Sequence, residues 1–213
     1  MSDELFWADQ IASSIINRKK FFYTDDKIKP VKEYTVKTSA SLSGVLHIGR
    51  LSDTIRSEPV YRALKDAGKK ARLIWVAEDM DPFRKVPKGV PKTYEKYLGM
   101  PVTDIPDPKG NFKSYADAHR EEYLKVIHDF VSTKLKVYST REEYLKGKFK
   151  PFIKKIVAKT ELAREIQNKF RKEKLHDWSP WRPICEKCGK LSTTKLTDVE
   201  DGIFHYECQD YKF

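Results

Sequence analysis

The chain has 213 residues, of which 39% are hydrophobic and 34% charged, a balance that buries a core and excludes general disorder. No apolar run approaches the roughly 18 residues of a membrane helix, and MSDELFWADQ lacks the basic start and apolar stretch of a signal peptide, so no membrane partner and a cytoplasmic location are expected. Three cysteines do not close a disulfide framework, and the net charge of +11 directs attention to polyanions.

In chain order, DELFWADQIASSIINRK sets Leu5, Ala8, Ile11, Ile15 and Ile16 on one helical stripe, with Ser2 or Asp3 as the cap. EYTVKTSA reads as a strand running into a Ser/Gly-rich loop, SLSGVLHIGR. A helical pattern covers Leu51 to Ala67 and stops at Gly68, with Pro59 expected to kink or divide it. RLIWVAE reads as a buried strand. Strand, loop, helix and strand make a right-handed βαβ crossover, whose first loop opens at the carboxyl edge of a parallel sheet, where ligands bind in such folds. The Pro- and Gly-rich middle, VPKGVPKTYEKYLGMPVTDIPDPKGNF, is expected to run over the surface rather than supply core. Helix returns from Tyr115 to Val131, LKVYS is strand-like, and two helical stretches divided by Pro151 cover Arg141 to Lys174. From WSPWRPICEKCGK onward the pattern is short strands and turns. Trp178 and Trp181 there read as core or staple residues rather than base-stacking platforms, with both roles open to them. Three segments follow: a nucleotide-binding half (1–140), basic helices (141–177) and a cysteine-bearing ribbon (178–213).

The charge is unevenly spread. Residues 141–175 carry 12 Lys/Arg against 5 Asp/Glu, an excess of 7 in 35 residues. Such a segment is either a nucleic-acid footprint or a solvated lysine-rich helix face, and charge alone does not choose. The footprint reading predicts RNA binding that weakens steeply with salt.

SLSGVLHIG, residues 41–49, carries the most chemistry. Ser and Gly permit close backbone approach, and Gly49 leaves the next helix N-terminus open to a phosphate. His47 in an H-x-G at a strand-to-helix loop suits charge stabilisation on an α-phosphate in adenylyl transfer, or else it caps the turn. Cys185-x₂-Cys188 is a zinc-knuckle spacing, followed by His205 and Cys208. Three thiols and an imidazole form a tetrahedral zinc set.

SGVLHIG followed by a helix, a strand ending in EDMDPFRKVPKGVP, then YLGMPVTDIPDP and SYADAH, together with FWADQIASSII, QNKFRKEKLHDWSP and the cysteine ribbon, resembles the N-terminal half of the class I lysyl-tRNA synthetases of archaeal type, over nearly the whole chain. The resemblance implies an α/β Rossmann-type catalytic domain with inserted basic helices and a zinc-ribbon-like region. It implies activation of L-lysine by ATP to lysyl-adenylate and transfer to tRNA(Lys) by a monomeric enzyme. His47 and Gly49, with Ser39, Ser43 and Gly44 before them, map onto the HIGH-type ATP loop. Where that pattern ends in a neutral amide this chain has Arg50, which either grips a phosphate or pairs with an acid such as Asp53. Asp79 and Asp81 stand where relatives have W-D-D-Y-D, and either orient ribose or the lysine ammonium, or cap the loop and helix. Some relatives hold a further metal after the P-D-P; here Asp107 and His119 are too few, and no metal is expected. The relatives' last ribbon ligand falls at or past Lys212, which leaves His205 as the compact fourth ligand. No KMSKS-type second ATP loop is visible, so the 213 residues alone are expected to be inactive. Two rival readings are another HIGH-type nucleotidyltransferase and a non-catalytic RNA-binding module with a relic Rossmann domain.

Overall fold

The computed structural model describes residues 5–21, 26–44, 46–200 and 203–210. They group into two compact units, Met1–Ser41, Val45–Glu78 and Arg120–Tyr138 in the first, and Leu42–Gly44, Asp79–His119 and Ser139–Phe213 in the second.

The first unit is built on a three-stranded sheet of order β1-β2-β3, with β1 at Tyr34–Ser41, β2 at Ala71–Glu78 and β3 at Lys136–Ser139. β1 and β2 are parallel and in register from Tyr34↔Ala71 to Ser41↔Glu78, so both strands end on the same rung. Helix α2, Ile48–Asp66, crosses between them as the βαβ pattern requires. Gly68, at a φ of 72°, ends it: the Gly68 and Lys69 N–H groups return to the Lys65 and Leu64 carbonyls. β2 is buried at Leu73, Trp75 and Ala77, and the Trp75 indole stacks on Tyr123 of α3, Tyr115–Ile127, at 4.6 Å. The Tyr123 and Thr54 hydroxyls hydrogen-bond at 2.7 Å, which ties α3 to α2 inside the core.

Two expectations for this unit are narrowed or corrected. Of the two outcomes expected at Pro59, division is excluded, since α2 runs through it as one helix. Burial of Glu58, Val60, Ala63 and Leu64 around the proline, with the Glu58 carboxylate accepting the Thr133 N–H at 2.7 Å, outweighs a cost of about 3 kcal/mol. The apolar stripe of α1, Trp7–Asn17, is also rotated from its predicted phase. Ala8 and Ala12 are buried against Val60, Ala63 and Leu64, with Ile15 and Ile16 packed beside them, whereas Leu5 and Ile11 are exposed. Small side chains on the contact face let the two helices approach closely. The predicted Ser2 or Asp3 cap lies outside the described residues.

The second unit overturns the surface reading of the middle segment. Val102 and Ile105 are buried there, and Phe83, just before the segment, is buried and meets Tyr115 edge-on at 5.4 Å. The prolines restrict the backbone, and several of the other amides are paired: Phe83 with Met100, Gly99 with Phe83, Val102 with Asp81. Three helices, not two, follow: α4 Thr140–Leu145, α5 Lys150–Val157 and α6 Thr160–Lys169. Pro151 stands in the first turn of α5, where its missing N–H costs nothing, and Gly147 at a φ of 71° closes the turn before it. Antiparallel strands β4, Thr194–Glu200, and β5, Ile203–Cys208, complete the unit, with an irregularity between Leu196 and Asp198. Trp181 packs on Phe204 at 4.7 Å, as a staple would. Among the described residues no helix is long and apolar enough to cross a membrane.

Candidate ATP loop and cysteine cluster

In the first unit the residues predicted to hold ATP gather where β1 passes into α2. His47 is the N-cap of α2, and its Nδ1 accepts the Gly49 N–H at 3.2 Å. An Nδ1 that accepts leaves the neutral ring's proton on Nε2, so the exposed imidazole offers an N–H donor on its other side. A Cβ at residue 49 would lie 2.9 Å from the ring's Cε1 and Nδ1. Gly49 thus leaves room for the imidazole over the helix end, where a larger residue would push the ring aside. Arg50 donates from Nη1 to the Ser41 carbonyl, and the Asp53 carboxylate accepts the Ser39 N–H at 3.3 Å. The first two turns of α2 therefore hold the last residues of β1. Asp53 as a partner of the Ser39 amide was not legible beforehand, because the pairing spans a strand and a helix.

In the second unit lie Ser43 and Gly44, both partly buried, and the acids that follow β2. Asp79 is buried, and its carboxylate accepts the Ser139 hydroxyl at 2.5 Å and the Arg141 N–H at 2.9 Å. Ser139 is the N-cap of α4 and accepts the Glu142 N–H at 3.1 Å, so Asp79 secures a helix start. Arg141 pairs with Asp104 at 3.1 Å. Ser139 and Arg141 were missed as partners of Asp79, although Ser139-x-x-Glu142 is a capping-box signal. Asp81 is less buried than Asp79, and its carbonyl receives the Val102 N–H. Asp107 turns its carboxylate onto the N–H groups of Lys109, Asn111 and Phe112 at 3.2, 2.9 and 3.1 Å. Burial alone would raise its pKa, but these three amides hold it below the ordinary carboxylate value.

The sulfur atoms of Cys185, Cys188 and Cys208 all lie within 4.8 Å of one another, and Cys188 and Cys208 are 3.6 Å apart. The turn between the first two is fixed by Gly189 N–H to the Cys185 carbonyl and Cys185 N–H to the Lys190 carbonyl, both at 2.8 Å. The Thr193 hydroxyl reaches Cys208 at 3.3 Å and Cys188 at 3.8 Å. Burial pushes the Cys188 thiol above its ordinary pKa against the pull of the Lys190 N–H and Thr193. His205 is not brought to the cluster. It lies three residues before Cys208 on β5, hence on the opposite face, and it is exposed where Cys208 is buried.

A hollow of about 290 Å³ lined by His47, Ile48, Leu51, Tyr123 and Phe130 adjoins the imidazole, and its lining is mainly apolar. Two larger hollows, about 580 Å³ each, contain none of the predicted site residues.

A parallel β-strand passing through a Ser/Gly loop into a helix capped by an H-x-G histidine agrees with the α/β class I synthetase fold that the sequence resemblance implies. A family model of the class I tRNA synthetases (K) matches residues 5–213, and the chain belongs to that family. It is 34% identical over 211 residues to the lysine–tRNA ligase of Methanosarcina barkeri, covering 98% of this chain and 37% of that protein. It is 35% identical over 207 residues to the lysine–tRNA ligase of Methanocaldococcus jannaschii (96% and 37%), and 32% identical over 203 residues to that of Methanosphaera stadtmanae (95% and 36%). The chain thus spans a little over a third of the length of these curated relatives.

Proposed function

We propose that this chain is the N-terminal catalytic part of a lysine–tRNA ligase, which joins L-lysine to ATP as lysyl-adenylate and passes the lysyl group to tRNA(Lys). The observation that carries this reading is the His47–Gly49 cap at the carboxyl end of β1, within a chain matched throughout to lysine–tRNA ligases. In the first step a lysine carboxylate oxygen attacks the α-phosphorus of ATP and pyrophosphate leaves. The protein's part is alignment and charge stabilisation. Nε2–H of His47 donates to phosphate oxygen, the α2 N-terminus adds its positive dipole end, and Gly49 keeps that end open. Ser39, Ser43 and Gly44 supply a small, close-approaching backbone. Arg50, anchored on the Ser41 carbonyl, positions the loop. Asp79 supports the start of α4, which leaves Asp81 as the acid for ribose or the lysine ammonium.

The cysteine cluster fits a structural zinc. Four ligands at about 2.3 Å in a tetrahedron place sulfurs about 3.8 Å apart, close to the 3.6 Å between Cys188 and Cys208 and far beyond a disulfide bond. Cys185, Cys188 and Cys208 would hold the ion, which would supply cross-linking of the β4–β5 ribbon rather than chemistry.

Lysine-dependent exchange of pyrophosphate into ATP, measured on the chain extended to the length of its relatives, tests the enzymatic reading. Exchange that requires lysine and falls at least about 100-fold in His47→Ala is expected. Exchange with a different amino acid, or undiminished exchange in the variant, overturns it.

A further inference from the structure

Helix α6 is built inside out. Its polar Arg164 and Asn168 turn inward, Arg164 donating to the Trp178 carbonyl at 3.1 and 3.2 Å and Asn168 bonding both the N–H and the carbonyl of Leu175. Leu162 and Ile166 of the helix and Phe170 at its C-cap, four residues apart, are exposed, Phe170 by 86%. α5 differs in that its inward residues, Val157 and the half-buried Ile153, are apolar, but Phe152, 68% exposed, and Ile156 also face solvent. Lys154, Lys155, Lys159 and Lys169 are exposed on the same two helices. A solvated charged helix has no use for two outward aromatics, so the plain reading of this segment as a lysine-rich surface leaves Phe152 and Phe170 unexplained.

We infer that the outer face of α5 and α6 binds single-stranded RNA, stacking bases on Phe152 and Phe170 while the surrounding lysines track phosphates. The inference rests on the tRNA reading above for the identity of the RNA. Charge complementarity selects a polyanion, since the segment from 141 to 175 carries an excess of 7 positive charges. Exposed aromatics select the single strand: a duplex keeps its base faces stacked internally and would engage the lysines while leaving both rings in water. An acyl-chain surface fits less well, because Glu161 and Glu165 are exposed on α6 beside the apolar stripe.

The 213-residue chain is titrated with a fluorescein-labelled, unstructured 12-nucleotide RNA, a 12-base-pair RNA duplex and phosphatidylserine vesicles. Tighter binding of the single strand is expected. Phe152→Ala with Phe170→Ala, both at exposed positions, should weaken it at least tenfold and leave duplex binding and the unfolding temperature unchanged. Reversal of Lys154, Lys155 and Lys169 to Glu should flatten the slope of log affinity against log salt by about 2. Duplex binding as tight as single-strand binding, indifference to the phenylalanine changes, or Phe-dependent vesicle binding without RNA binding each overturns the inference. Pyrophosphate exchange in the extended chain separates the two readings. Exchange without Phe-dependent RNA binding removes only this surface, and Phe-dependent RNA binding without lysine-dependent exchange removes only the ligase assignment.

Discussion

The β1–α2–β2 crossover has an apolar interior, with Leu73, Trp75 and Ala77 buried from its second strand and Val60, Ala63 and Leu64 from its helix. In the ribbon, among the described residues from 178 onward, the buried positions are Pro183, Cys185, Thr194 and Cys208. Half of that interior is thiol. The crossover can therefore fold by burial and leave its loop residues available to a nucleotide, whereas the ribbon has little apolar surface to bury. Under the proposed function, substrate binding would be separate from folding in one region, and metal binding would be the folding event in the other.

The largest expected effect comes from the sulfurs. Cys208→Ser should abolish zinc retention and the amide protection of β4 and β5, because apparent zinc-binding energies on the order of 10 kcal/mol are then lost from folding. Hydrogen exchange and elemental analysis together check this: protection across Thr194–Glu200 that survives in metal-free protein would show an interior sufficient without the ion. Next in size is Trp75→Ala, which removes the indole stacked on Tyr123 and should destabilise the crossover by about 3–5 kcal/mol while leaving zinc content at wild type. Denaturant unfolding followed with metal analysis tests both halves of that statement.

The sequence revealed the crossover because its signals are local: β-branched runs at Tyr34–Ser41 and Ala71–Glu78, a glycine stop at Gly68 and a Ser/Gly loop between. It misjudged whatever depended on distant partners. The phase of α1 was set by which residues Val60 and Leu64 could accept closely, so Ala8 and Ala12 displaced Ile11 from the contact. Pro59 looked like a break because the packing that holds α2 together comes from elsewhere. The proline-rich middle hid core residues, since Val102 and Ile105 stand among prolines and loop residues with no sustained two- or 3.6-residue period. In the site, the His47–Gly49 relation was legible from the motif, but Asp79's engagement by Ser139 and Arg141 depends on residues some sixty positions away. The three cysteines were found by spacing, and His205 failed by strand parity, a rule available once β5 was drawn with Cys208 facing inward.

An intermediate effect belongs to Asp107, whose carboxylate serves three backbone amides. Its folded pKa lies below the unfolded value, so its contribution is complete at neutral pH and drains away as pH falls below about 4 through the depressed folded value. Asp107→Asn should cost about 2 kcal/mol at pH 7 and much less near pH 3. Stability measured by urea unfolding at both values should therefore converge; a gap that stays constant with pH would assign the loss to shape rather than charge.

The smallest effect on folding, and the most informative about the loop, is at His47. Replacing it by alanine removes an N-cap acceptor and should lower stability by about 1 kcal/mol, and it also removes the outward Nε2–H. Asparagine separates the two roles. Its side-chain oxygen caps a helix as well as any residue does, yet it carries no imidazole N–H at the Nε2 position. His47→Asn should therefore unfold within a few tenths of a kcal/mol of wild type but lose most of the upward shift in unfolding temperature that added ATP produces. Gly49→Ala should behave similarly for the opposite reason, because its Cβ would displace the ring by direct contact at 2.9 Å while the helix end itself persists. If ATP stabilised the His47→Asn chain as strongly as the native one, the histidine would be a cap and nothing more. The crossover, like the ribbon, would then spend its signature residues on structure.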